Sequence, residues 1–200
     1  MSKSSTEHDA SEQEPIANTV AHSLARTRAW IAGFIIAHEI CPFARRDWEA
    51  GHTGLYPSEA DNEEQAFQDL LRTLERFLDS GEERETTAFL IYPGAFADFD
   101  AFNDFLGVCD GVIDETGLSG SVQIVGFHPH YRFADSLPDD PADYTNRSPY
   151  PMLHLLRESL LERAVDGWRA SGRDPEDIPR RNIEHLRAMG LAAVRQAAGF

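Results

Sequence analysis

The chain has 200 residues, two cysteines and a formal net charge of −16. This length is typical of a single domain with a sizeable hydrophobic core, and two cysteines cannot build a disulfide framework. The excess of acidic groups repels phosphates and anionic lipids, which disfavours nucleic-acid binding and attachment to a membrane surface.

The N-terminal sequence MSKSSTEHDASEQEP, residues 1–15, contains no apolar segment. It is therefore not a signal peptide, and it has too little apolar surface to offset the entropy of ordering. We expect residues 1–15 to be a disordered tail, residues 16–192 to form one α/β domain and residues 193–200 to be a second tail. The longest uncharged apolar run, residues 29–37, is about half as long as a membrane span. We expect a cytoplasmic protein whose cysteines are reduced.

The first predicted elements are helices. Apolar residues at helical spacing from Val20 to Ile35 predict a helix that ends near Ile40. Pro42 ends this helix or opens the next one, because proline is favoured in a first helical turn. This arrangement places Cys41 at a junction between two helices.

The middle of the chain alternates helices and strands. Residues 61–81 and 98–117 have helical patterns, and residues 86–94 and 121–127 have strand patterns. A strand, a crossover helix and a second strand form a parallel βαβ unit. Residues 52–60 are either another strand or a loop. The pattern predicts an α/β fold, with α+β as the alternative, on a small parallel β-α-β-α-β sheet with additional N- and C-terminal helices.

A long loop, residues 134–151, follows the last predicted strand. Loops of this length in compact domains are usually functional or mobile. Ser148 is typical of a helix N-cap and Pro149 of a first helical position, so we expect a helix from there to about Arg169. A further helix is expected at about residues 176–190.

The motif FHPHYRF, residues 127–133, lies where a ligand site is expected. Ligands of open parallel sheets bind beyond the carboxyl ends of the strands, and His128 is the first residue past a predicted strand. His128 and His130 could bind one metal ion together, or their side chains could point apart. His128 as a neutral acid or base, oriented by Tyr131, is at least as well supported.

Cys41 lies in the motif ICPFARR, residues 40–46. A helix start and the guanidinium groups of Arg45 and Arg46 would both stabilise a thiolate, so we expect a reactive nucleophile or a soft metal ligand. Burial behind the first helix would act in the opposite direction. The alternative is that Cys41 is a small buried apolar residue.

The segment NRSPYPMLHLLRE, residues 146–158, carries the third group of candidates. On a helix, four of its polar side chains share one face: Tyr150, His154, Arg157 and Glu158. The free N–H groups at the start of such a helix could also bind an anion beside Asn146 and Arg147. The alternative is that these side chains only complete the core or pair with their neighbours.

Several motifs together resemble one family. They are CPFARR, NDFL, FHPHYRF, YTNRSPYPMLHLLRE and IPRRNIEHLRAMGL, and they resemble the bacterial family called domain of unknown function 1415 over about residues 25–192. The family pattern maps onto Cys41, Pro42, His128, Tyr131, Asn146, Arg147, Ser148, Tyr150, His154, Arg157 and Glu158. The chain departs from that pattern near His38 and at His130, which weakens a metal site built on either. The resemblance indicates which residues are candidates for a site, but it implies no reaction.

Three functions remain open. The first is an enzyme in which Cys41 is a nucleophile or redox thiol and His128 or His154 is the general base. The candidates for binding its small anionic substrate are Arg45, Arg46, Asn146, Arg147, Ser148, Tyr150, Arg157 and Arg181. The second is a metal-binding protein with Cys41, His128 and His154 as ligands, a set that suits zinc better than haem. The third is a non-catalytic binding module. The segments around these three residues are expected to converge at the carboxyl edge of the sheet, and the oligomeric state is left open.

Overall fold

The computed structural model describes residues 13–200 of the chain. The elements in this range, in chain order, are α1 (Gln13–Trp30), a π-helical segment (Ile31–Ile36), α2 (Ala44–Glu49), β1 (Thr53–Pro57), α3 (Glu63–Ser80), β2 (Thr87–Ile91), α4 (Phe99–Glu115), β3 (Val122–Phe127), a short 3-10 helix (Pro141–Thr145), β4 (Met152–Arg157), α5 (Glu158–Ala170), α6 (Asp177–Met189) and α7 (Leu191–Ala198).

The four strands form one mixed sheet in the order β1-β2-β4-β3. Strands β1 and β2 are parallel neighbours joined by α3, and α4 carries the chain from β2 to β3. Strand β4 lies between β2 and β3 and runs antiparallel to both. The prediction of an α/β fold is confirmed, whereas the prediction of a purely parallel sheet is wrong because β4 enters its centre.

Strand β4 replaces the first part of the helix that we predicted from residue 148 onward. The hydroxyl of Ser148 is not a helix cap but donates to the carbonyl of Tyr150 at 2.6 Å. Pro149 and Pro151 each favour an extended conformation in the residue that precedes them. Pairing with strands on both sides then satisfies the backbone of Met152–Arg157, and the helix begins only at Glu158.

The alternation of β4 places its side chains on two faces of the sheet. Leu153 and Leu155 belong to a core with α3 and α4. Met152 belongs to a second core on the opposite face. The second core packs the sheet against α1, the π-helical segment, α6 and α7. Its buried members include Trp30, Phe34, Phe89, Ile91, Leu186 and Val194. His154 and Leu156 share the face of Met152.

Both segments that we expected to be tails overlap with helices of the structure. Residues 1–12 of the predicted disordered tail lie outside the described residues, and residues 13–15 fall within α1. The segment 193–200 belongs largely to α7, because Val194 and Ala198 bury their side chains in the second core. None of the helices described for residues 13–200 is long and apolar enough to cross a membrane.

Candidate functional site

A cavity of about 560 Å³ lies between the second face of the sheet and the helices that cover it. Its floor is formed by side chains of β2, β3 and β4: Thr87, Phe89, Val125, Phe127, His154 and Leu156. Its walls come from the end of α1, the π-helical segment, α2, α5 and α6. Neither α2 nor α5 has a buried residue, and a ring contact of 5.6 Å between Phe43 and Trp168 joins the two sides.

His154 lies in the middle of this floor. In the sheet register it is paired with Phe89 of β2 and Val125 of β3. Its imidazole stacks on the ring of Phe89, with the centroids 4.0 Å apart and the planes only 6° from parallel. Because a central strand and a stacked ring both restrict it, the imidazole is held in one orientation against the cavity.

The hydrogen bonds of His154 define its tautomer. The Thr87 hydroxyl donates its single proton to the carbonyl of Leu155 at 2.9 Å, so it accepts from Nε2–H of His154 at 2.5 Å. The proton therefore lies on Nε2, and Nδ1 carries a lone pair. Nδ1 has no hydrogen-bond partner among the described residues.

Burial lowers the pKa of His154 to about 3, and no charged group contributes to this shift. The ring is not wholly covered by protein atoms, but it faces a partly open and mainly apolar space that disfavours a positive charge. At neutral pH the side chain is therefore an uncharged hydrogen-bond acceptor.

Cys41 also lines the cavity, but its surroundings disfavour a thiolate. Burial raises the pKa of the Cys41 thiol, and nearby Asp47 adds to this effect, although backbone N–H groups of Phe43 and Ala44 act in the opposite direction. The structure therefore does not support the expectation of a stabilised thiolate. Helix α2 begins only at Ala44, so Cys41 precedes its first turn.

The two arginines after Cys41 do not approach its thiol as ion partners. Arg45 donates to the carbonyl of Ile36 at 3.3 Å and lies 3.5 Å from the carboxylate of Glu49. Arg46 is exposed to solvent. The contacts of Arg45 stabilise the junction between the π-helical segment and α2, and neither arginine offsets the effect of burial on Cys41.

His128 is fully buried and does not line this cavity. Its Nε2–H donates to the carbonyl of Phe96 at 2.8 Å, and its Nδ1 accepts from the backbone N–H of His130 at 3.0 Å. Burial lowers the pKa of His128. With both ring nitrogens engaged, His128 ties the end of β3 to the segment before α4, and the structure does not support an acid–base role for it.

Tyr131 lies near His128 rather than near His154. Its ring contacts Phe99 with a centroid separation of 5.3 Å, and its carbonyl accepts from Nε of Arg147 at 2.9 Å. The role expected for Tyr131, the orientation of a histidine base, therefore has no counterpart at the cavity.

The remaining arginine candidates donate mainly to protein oxygens. Arg147 also lies 3.5 Å from Asp143, Arg181 donates to the carbonyl of Glu39 at 2.6 Å, and Arg157 donates to the carbonyl of Glu85 at 2.9 Å. Arg157 also donates to the carbonyl of Phe77 and contributes to the cavity wall. These guanidinium groups stabilise the fold through contacts with protein oxygens, and they do not form the expected anion site.

The last three candidates differ in position. Asn146 lines the cavity, Ser148 is fully buried, and Tyr150 is partly buried in the second core beneath the guanidinium of Arg26. On a strand, His154 and Arg157 point to opposite faces, so the single helix face that we expected for Tyr150, His154, Arg157 and Glu158 does not exist.

The expected convergence of three segments is only partly met. Cys41 and His154 line one cavity, whereas His128 does not. Within residues described by the structure, no group of three or more His, Cys, Asp or Glu side chains could hold a metal ion. The set of Cys41, His128 and His154 is therefore not a metal centre in this geometry.

The sequence reasoning missed several residues of the cavity, above all Thr87, Phe89, Trp30 and Asp47. Thr87 and Phe89 carried a usable signal, because alternation along the predicted strand places them on one face. Trp30 and Asp47 carried none, since their place on the wall depends on how the helices pack.

The comparisons with known proteins agree with the resemblance noted in the sequence. Neither a search of curated proteins nor one of solved structures found a match. The family model described as "Protein of unknown function (DUF1415)" matches residues 22–196, and the chain therefore belongs to that family.

Proposed function

We propose that the protein binds a small, mainly apolar organic molecule in the cavity and that this molecule donates a hydrogen bond to Nδ1 of His154. The observation that carries the proposal is an uncharged acceptor, without a partner among the described residues, in the floor of a partly open and mainly apolar cavity. Small-molecule sites typically have this composition, with about 300–1,000 Å³ of space and a few polar groups that orient the ligand.

A second unpaired group lies beside the cavity but outside its reach. The indole N–H of Trp30, a residue of the cavity wall, has no hydrogen-bond partner among the described residues although the atom is buried. Buried donors without a partner are rare, because each costs about 1–3 kcal/mol. Because this nitrogen is covered by protein atoms, it is not accessible from the cavity and contributes no binding group to it.

The geometry favours ligand binding over the other functions suggested by the sequence. A histidine whose pKa is about 3 is a weak base, so His154 is better suited to holding a ligand than to general base catalysis at neutral pH. The arginines expected to hold a small anion bind protein oxygens or are exposed. If the protein is an enzyme, Cys41 is the nucleophile that the cavity offers, and a bound substrate would have to activate it.

Binding can be tested with Nile red, an uncharged dye whose fluorescence rises in apolar surroundings. We expect saturable binding of one dye molecule per chain, and displacement by phenylbutanol. Ala164→Phe fills the cavity from α5 and should abolish binding, whereas Ala170→Phe, on an exposed part of the same helix, should not. Equal binding by the two variants would contradict the proposal.

A further inference from the structure

Asp47 is a carboxylate on the cavity wall that has no counter-charge among the described residues. It lies in the first turn of α2 and is only partly exposed. Its carboxylate makes no hydrogen bond or ion pair with any described residue. Arg45, two positions earlier, instead faces Glu49 and the carbonyl of Ile36. An unpaired carboxylate in a partly apolar site gains from a cation more than one in water does.

The cavity offers no comparable partner to an anion. Among its lining residues the only basic group that is charged at neutral pH is Arg157, whose guanidinium lies over the ring of Phe77 on the α3 side. That guanidinium already donates to the carbonyls of Glu85 and Phe77. His154 adds a second acceptor and no positive charge. Nδ1 of His154 and the carboxylate of Asp47 are acceptors without a partner among the described residues, whereas the unpaired N–H of Trp30 is not accessible from the cavity. These groups therefore favour a ligand that donates hydrogen bonds and carries a positive charge.

Aromatic residues near Asp47 strengthen this preference. Phe43 and Trp48 flank Asp47 along α2, and both line the cavity. The faces of aromatic rings attract ammonium groups, by about 0.5–2 kcal/mol for each well-placed pair. The net charge of −16 also raises the local concentration of cations around the protein.

We infer that the ligand of this cavity is an apolar amine, with its hydrocarbon part on the floor of the sheet and its ammonium group paired with Asp47. The inference rests on the proposed function, because it assigns the ligand class of the same cavity. It also makes Asp47 the residue that determines specificity for charge. His154 then accepts any second N–H or O–H donor of the ligand.

The test compares three probes with the same phenylbutyl part: phenylbutylamine, phenylbutanol and phenylpentanoate. Each is titrated against the full chain at neutral pH by isothermal calorimetry and by displacement of Nile red. We expect the amine to bind about tenfold more tightly than the alcohol, and the carboxylate to bind more weakly than either.

The variant Asp47→Asn keeps the shape of the side chain and removes its charge. It should weaken amine binding about tenfold and leave alcohol binding unchanged. Glu49→Gln is the matched control, because Glu49 is an exposed acid of the same helix that does not line the cavity, and it should change neither affinity.

Two results separate the inference from the proposed function. If the alcohol binds as tightly as the amine, or Asp47→Asn weakens both equally, the assignment of an amine is wrong while the cavity remains a binding site. If no probe binds, and Ala164→Phe has no effect on Nile red, the proposed function fails and the inference fails with it.

Discussion

Replacement of His154 by leucine should make the protein less sensitive to acid. Burial lowers the pKa of this histidine from 6.5 to about 3 in the folded protein. Between these two values the unfolded chain binds a proton that the folded protein does not bind. Acid therefore favours unfolding, and the stability associated with neutral His154 is complete above pH 6.5 and decreases as the pH falls.

The magnitude follows from the two pKa values. At about pH 5, protonation of His154 in the unfolded chain lowers the free energy of unfolding by about 2 kcal/mol, whereas at about pH 7.5 the effect is near zero. The result depends little on the folded pKa, because any value well below the working pH gives the same answer. Other buried groups contribute to the acid sensitivity of the wild type, but they contribute equally in a His154 variant.

The assay is urea denaturation followed by tryptophan fluorescence at both pH values. The loss of unfolding free energy between them should be about 2 kcal/mol smaller for His154→Leu than for the wild type. His22→Leu, at an exposed position of α1, should lose as much unfolding free energy between the two pH values as the wild type does. If His154→Leu also loses as much unfolding free energy as the wild type, the imidazole accepts a proton in the folded state. The description of a neutral acceptor is then refuted.

Three further predictions concern the groups assigned structural roles. Cys41 should react with iodoacetamide more slowly than a model thiol at neutral pH, because burial raises its pKa, and denaturation should remove the difference in a mass-spectrometric time course. Arg157→Met should lower the free energy of unfolding by about 2–4 kcal/mol, because the buried carbonyl of Glu85 loses its donor and the carbonyl of Phe77 keeps only the hydroxyl of Ser80. Arg163→Met, which breaks an exposed ion pair, should cost less than about 1 kcal/mol in the same denaturation assay. His128→Leu should cost about 2 kcal/mol for similar reasons and leave the affinity for Nile red unchanged.

Each of these predictions has a clear contrary result. Fast alkylation of native Cys41 would indicate a stabilised thiolate. Equal costs for Arg157→Met and Arg163→Met would mean that the guanidinium of Arg157 is solvated. Loss of dye binding in a stably folded His128→Leu variant would place His128 in the binding site.

The sequence predicted the elements whose signals are local. Helix α3 begins where Asn62 accepts from the backbone N–H of Gln65 at 3.0 Å, and an N-cap with acids in the first turn is readable in the sequence. Strand β2 is β-rich and uninterrupted, so it too was recognisable. Strand β4 was not recognisable from the sequence, because the spacing of Leu153, Leu156 and Leu160 fits a helical stripe as well as a strand that continues into α5. Backbone pairing of β4 with β2 on one side and with β3 on the other favours the strand over the helix. This pairing joins segments that are distant in the sequence.

The same distinction applies to the site. His154 was a candidate from its motif, but its hydrogen-bond partner Thr87 lies 67 residues away in the sequence. The position of His128 at a strand end was predicted correctly, yet its ring turns towards α4, where it lies 5.3 Å from that of Phe102. For Cys41, the backbone N–H groups of Phe43 and Ala44 lower the pKa of the thiol, but the arginines do not contribute and burial raises the pKa more strongly. That burial depends on the packing of the whole cavity.

The most direct test of the account is the nitrogen chemical shifts of the His154 ring, measured by NMR on isotope-labelled protein during a titration with phenylbutanol. Free protein at neutral pH should carry the proton on Nε2, with Nδ1 unprotonated and without a hydrogen bond. Added phenylbutanol should shift Nδ1 of His154 towards the value of a hydrogen-bonded nitrogen and leave both nitrogens of His128 unchanged. A proton on Nδ1 in the free protein, or binding of the alcohol without any change at His154, would contradict the account.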